Sequence, residues 1–96
     1  MRNALPQLIG TRVRELRVAA GISQEELAAR ADLHRNYVSS VERGQRDVGV
    51  GALQRMAAAL GVSLAEFFKT FRDVKVTPTP DRPSTRQAIS SRPARR

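Results

Sequence analysis

Five polar side chains crowd into one short stretch near the middle of the chain: Arg35, Asn36, Ser39, Ser40 and Arg43. If this stretch is helical, at about 100° per residue they share one arc of roughly 140°, and Val38 and Val41 face the opposite way. The arc carries two guanidiniums, an amide and two hydroxyls, and no carboxylate. A guanidinium donates two parallel hydrogen bonds to guanine, and an amide matches the acceptor and donor of adenine. Hydroxyls and cations also bond phosphate oxygens. The face therefore has the chemistry of a surface that reads base edges in a major groove; the plainer alternative is a solvated helix face. Other chemistries find less support. His34 is the single histidine, and with no cysteine in the chain it makes no metal site. Glu25 and Glu26 are neighbours, but one caps a helix and the other is solvated, so they make no general acid/base pair, and Ser23 and Ser63 read as helix caps without a base beside them. No catalytic constellation, metal site or cofactor motif is present, and no enzymatic activity is expected.

Such a face needs a short helix held by others, and the surrounding sequence reads as five helices with no strand-like alternation. The first is expected over 6–20, with Ile9, Val13, Leu16 and Ala20 on one face, Pro6 in its first turn and Gly21 past its end. The second runs over 24–31. Ser23 caps it, Glu26 closes a capping box, and Ile22 and Leu27 have the spacing of a hydrophobic staple. Only Asp32 and Leu33 separate it from the third, which buries Val38 and Val41 and ends near Arg43, before Gly44. The fourth starts after Gly49 and buries Val50, Leu53, Met56, Ala57 and Leu60. The fifth repeats the cap, with Ser63, Glu66, Val62 and Phe67, and runs to about Phe71. Two helices joined by a tight turn, the second one short, outline a helix-turn-helix.

Composition limits the partners. The 96 residues suit one small domain, with 41% hydrophobic residues, 17 Lys+Arg, 9 Asp+Glu and a net charge of +8. The longest apolar run, Met56 to Leu60, is far short of the ~20 residues that span a bilayer. Residues 1–10 carry no continuous apolar stretch, so no secretory signal is read there and a cytoplasmic protein is expected. The absence of cysteine suits a reducing compartment. Residues 1–71 carry a net charge of +3 and residues 72–96 a net of +5, with four of the five prolines in the latter. We divide the chain into a folded domain, 5–71, and a flexible, basic, Pro-rich tail, 72–96, too poor in apolar side chains to offset the entropy of ordering. The excess of positive charge implies an anionic partner, nucleic acid before a membrane surface.

Residues 8–68 resemble the Cro and phage-repressor type of helix-turn-helix domain, the XRE family. The resemblance is carried by Arg14-Glu15-Leu16-Arg17, by Gly21-Ile22-Ser23-Gln24-Glu25-Glu26-Leu27-Ala28, by Tyr37-Val38-Ser39, by Val41-Glu42-Arg43-Gly44-Gln45-Arg46 and by Ala57-Ala58-Ala59-Leu60-Gly61-Val62. Within that family, Arg35-Asn36-Tyr37-Val38-Ser39 followed by Glu42-Arg43-Gly44-Gln45-Arg46-Asp47 is similar to the controller proteins of restriction–modification systems. The resemblance implies an all-α, five-helix Cro/repressor-like domain followed here by a disordered basic C-terminal tail. It implies that Gln24 meets a backbone phosphate, that Arg35, Asn36, Ser39 and Ser40 contact bases, and that Arg43 and Arg46 meet phosphate or the neighbouring minor groove. It also implies a buried ion pair between Arg17 and Glu42. His34 stands where the family places a Ser or Thr cap, and either caps or touches phosphate. Asp32 stands at a left-handed turn position, and Gly49 replaces a Ser or Thr cap. Tyr37 either packs on the second helix or offers its hydroxyl to phosphate.

Adjacent Phe67 and Phe68 cannot both enter one core. Either one of them is half-exposed at the rim, or, as the resemblance implies, Leu64, Phe67, Phe68 and Phe71 form the interface of a homodimer, which is the reading expected here. The expected function is sequence-specific binding of double-stranded DNA by a homodimeric transcriptional regulator on an approximately palindromic operator. The alternative is an antitoxin that neutralises a toxin partner and represses its own operon. The tail is a solvated segment, an added source of DNA attraction, or a site for a protein partner.

Overall fold

The computed structural model describes residues 4–71, and the tail expected over 72–96 lies outside them. Five helices follow one another: α1, Leu5–Ala20; α2, Gln24–Ala31; α3, Arg35–Glu42; α4, Val50–Ala59; and α5, Leu64–Phe68. No strand occurs among the described residues. The boundaries follow local chemistry. The Ser23 hydroxyl accepts the Glu26 N–H at 3.0 Å, and the Ser63 hydroxyl accepts the Glu66 N–H at 3.0 Å. Each satisfies a backbone donor that the first helical turn leaves without an intrahelical partner. The expected return arms of the capping boxes are not made. The Glu26 carboxylate takes Arg30 Nε at 2.8 Å and the Glu66 carboxylate takes Lys69 Nζ at 3.0 Å, because a cation one turn on offers a charged donor.

Gly21 ends α1 in the left-handed region, at φ 74°. Asp32 ends α2 the same way at φ 57°, and it is the sole non-glycine residue with positive φ among the described residues. Its short polar side chain tolerates that conformation better than most.

The core draws on every helix: Ile9 and Val13 from α1; Leu27, Ala28 and Ala31 from α2; Val38 and Val41 from α3; Leu53, Met56 and Ala57 from α4; Phe67 from α5. Each fully buried large apolar side chain contributes about 1.5–3 kcal/mol. Three expectations need correction. Val50 is 77% exposed: it is the first residue of α4, and although it shares the face of Leu53, it lies beyond the core. Ala20 is exposed at the far end of α1. The last helix stops at Phe68, with a turn at Lys69 and Thr70 rather than helix to Phe71.

Two features of α1 carried no periodic signal. Gly10 is buried where α1 crosses α3; a Cβ there would lie 2.2 Å from the Val41 carbonyl oxygen and 2.9 Å from that of Glu42. Only glycine lets the two backbones approach so closely. Arg12 and Arg17, a turn and a half apart on the same helix, both reach into neighbouring elements.

Candidate nucleic-acid interface

The turn between α2 and α3 is tight and internally satisfied. Leu33 N–H donates to the Ala28 carbonyl at 2.8 Å, and the half-buried Leu33 side chain packs on the core. His34 adopts the extended backbone of an N-cap, and its Nδ1 accepts the Asn36 N–H at 3.1 Å. The imidazole thus does what a Ser or Thr hydroxyl does elsewhere, with Nδ1 as the unprotonated nitrogen.

Val38 and Val41 are fully buried and fix the underside of α3. Glu42 fixes its C-terminal end. Its carboxylate, 4% exposed, accepts Arg17 Nε at 2.6 Å, Arg17 Nη2 at 3.1 Å and Gln24 Nε2 at 3.1 Å. Arg17 Nη1 donates to the Ile22 carbonyl at 2.9 Å. The hydrogen bond to Glu42 raises the Arg17 pKa above its ordinary value, with burial working against it. One network therefore joins α1, the start of α2 and the end of α3. It also changes the reading of Gln24: one amide N–H is committed to Glu42, and an NH₂ group leaves one more for a phosphate.

The outward face divides in two. At its N-terminal end Arg35 and Asn36 are exposed. Arg35 Nε lies 3.9 Å from Glu25 of α2, a pair open to solvent on both sides, and the Asn36 side chain bonds no other described residue. At the C-terminal end the two half-buried serines hold arginines. Ser39 Oγ accepts Arg43 Nη1, and Arg43 Nε donates to Gln45 Oε1 at 3.0 Å. Ser40 Oγ donates to the Tyr37 carbonyl at 2.8 Å and accepts Arg46 Nε at 2.9 Å. The Arg46 guanidinium also lies over the Tyr37 ring, 4.8 Å from its centroid. Tyr37 itself is half-buried against the core.

The structure thus brings His34, Arg35, Asn36, Tyr37, Ser39, Ser40, Arg43 and Arg46 onto one surface, but with unequal freedom. Both serine hydroxyls face arginines of this chain, whereas Arg35 and Asn36 face outward. Gln45 joins this surface without having been expected; the four-residue spacing of Ser39 and Arg43 was the one signal of the clasp.

A second patch lies on α5 and the turn that follows it. Phe68 and Phe71 are half-buried, with ring centroids 4.8 Å apart, and Leu64 is exposed. Phe67, expected with them at a dimer interface, is 0% exposed and belongs to the core; its ring meets Phe68 edge-on at 5.0 Å. Among the described residues no group of three or more His, Asp or Glu is placed to hold a metal ion, and no helix is long and apolar enough to cross a membrane.

Two short helices at a tight turn, the second anchored by apolar side chains and outwardly polar and basic, define a helix-turn-helix unit. Comparison with known proteins agrees: a family model described as "Helix-turn-helix" matches residues 13–67, and the chain belongs to that family. The control protein C.BamHI of Bacillus amyloliquefaciens is 43% identical over 63 residues, 65% of this chain and 78% of that protein. The crystal structure of the restriction-modification controller protein C.AhdI from Aeromonas hydrophila is similar at TM-score 0.65 and 46% identity, over 68% of this chain and 98% of that one. The controller protein C.Esp1396I, as a tetramer in complex with its natural 35 base-pair operator, is similar at TM-score 0.67 and 29% identity, over 71% of this chain and 90% of that one.

Proposed function

We propose that this protein is a cytoplasmic, non-enzymatic transcriptional regulator that binds double-stranded DNA at an approximately palindromic operator as a homodimer. The observation that carries the proposal is the exposure of Arg35 and Asn36 at the start of a helix whose opposite side is locked by Val38, Val41 and Glu42. Side chains so placed enter a major groove without distorting the domain, and together they carry the donors that suit guanine and the donor–acceptor pair that suits adenine. Arg43 and Arg46, clasped beside them, are suited to phosphate or the adjacent minor groove. The similarity to controller proteins, one of them seen on its operator, supports the same reading.

Leu64, Phe68 and Phe71 supply the apolar surface that a second copy would cover. Two recognition helices would then lie about 34–36 Å apart along the duplex. Selection of bound sequences from random duplexes, followed by footprinting of the winner, tests the proposal. Two related half-sites about one helical turn apart are expected. A protein that enriches no sequence, or protects none, is not a specific regulator.

A further inference from the structure

Arg12 of α1 is used in a way that neither the helical pattern nor the DNA-binding reading explains. It projects towards α5, and its side chain is 12% exposed. Arg12 Nε donates to the Phe67 carbonyl at 2.8 Å, and Nη2 donates to the Glu66 carbonyl at 2.9 Å. Both acceptors are C-terminal carbonyls of a five-residue helix, which leave lone pairs open to outside donors. The planar fork of a guanidinium takes two neighbouring oxygens in one fixed orientation, which a lysine ammonium does not. The remaining nitrogen, Nη1, lies 3.9 Å from the Glu15 carboxylate.

α1 is therefore held at two places. At Gly10 and Arg17 it is joined to α3. At Arg12, between those points in sequence, it grips the end of α5. α5 otherwise has one fully buried side chain, Phe67, with half-buried Phe68 packed beside it against the core. We infer that Arg12 is a positioning residue for self-association: by latching the end of α5 to the bar that also holds α3, it fixes the angle between the apolar face of Leu64, Phe68 and Phe71 and the face that meets DNA. The inference rests on the dimeric reading proposed above. In a symmetric dimer that angle sets the separation and tilt of the two recognition helices. A loosened latch leaves each α3 able to bind one half-site, but it costs the pair its geometry. The gain from joining two half-site contacts depends on that geometry.

The test compares the full-length chain with Arg12→Met and Arg12→Lys on three readouts: the dimer dissociation constant by sedimentation, binding to a duplex with one half-site, and binding to the full palindrome and to palindromes with the half-site spacing changed by one base pair. Arg12→Met keeps the length and apolar stem of the side chain but removes both donors; Arg12→Lys keeps the charge without the fork. Half-site binding is expected to stay within about twofold, whereas binding to the full palindrome falls by about tenfold or more, with weaker discrimination between spacings. Arg12→Lys should rescue only part of the loss. Equal losses on half-site and palindrome, or full rescue by lysine, overturn the latch. If Arg12→Met does not fold, the same comparison on Arg12→Lys decides. Phe68→Ala serves as the control for the dimer face. Undiminished self-association in that variant overturns the dimeric reading itself; reduced association together with unchanged Arg12 variants overturns the latch alone.

Discussion

α3 and α5 are both steadied by an arginine from α1, yet they are held in different ways. Arg17 meets a buried carboxylate at the end of α3, with Gly10 bringing the backbones together and two valines fully buried beneath. At the end of α5 Arg12 hydrogen-bonds two neutral carbonyls, and α5 buries one side chain completely while Phe68, and Phe71 just beyond it, stay half-covered. If Arg35 and Asn36 enter a groove as proposed, the helix that offers them has to be rigid before the ligand arrives. A helix whose apolar side is completed by another molecule can be held more lightly.

The largest expected effect breaks the firmer of these two attachments. Glu42→Ala leaves the largely buried Arg17 guanidinium without its counter-charge, and should cost about 3–5 kcal/mol in urea unfolding. A loss near zero would mean that the network does not hold α3. Next is Gly10→Ala, which puts a methyl group against the Val41 carbonyl and should cost about 1–3 kcal/mol by the same measurement. At Gly51, where a Cβ meets nothing within 4 Å, the same substitution has no such clash. Smaller still is Tyr37→Leu, which removes the aromatic platform under Arg46. It should weaken DNA binding by about 0.5–1 kcal/mol, whereas Tyr37→Phe keeps the ring and most of the affinity. In an Arg46→Ala background the Tyr37→Leu loss should vanish; if it persists, the tyrosine contacts DNA by itself.

The smallest effect concerns pH. Because Glu42 raises the Arg17 pKa, the stability due to that shift is fully present below the unfolded-state value. It is lost only as pH rises through the folded value, far into the alkaline range. Urea unfolding at neutral and moderately alkaline pH should therefore show no change attributable to this pair, and a loss of stability there that disappears in a variant lacking Glu42 would contradict it.

Much of this architecture was legible in the sequence because it is encoded locally. Ser23, Asp32, Gly21, Ser63 and Gly61 act within one turn of themselves, and α2 begins and ends where its caps place it. The buried sides of Val38 and Val41 follow from helical period alone. What escaped depends on elements meeting at a distance. Val50 has the phase of a core residue, but phase says nothing about whether a neighbour extends beneath it. Gly10 has no side chain to enter a pattern, and Arg12 is a polar residue whose partners stand more than fifty positions away. Of the proposed binding surface, the exposure of Arg35, Asn36, Arg43 and Arg46 could be anticipated. The division between outward groups and serine-held arginines could not, because it depends on a loop folding back over Tyr37 and α3.

The central claim is that the N-terminal end of α3 reads base edges. Its most direct measurement is the affinity of wild type and Arg35→Ala for the selected operator, for single-base variants of it, and for random duplex at fixed salt. The account predicts a loss of about 1–3 kcal/mol confined to the operator, with preference erased at one base pair in each half-site. An equal loss on operator and random duplex would show Arg35 to be a phosphate contact and would contradict the claim.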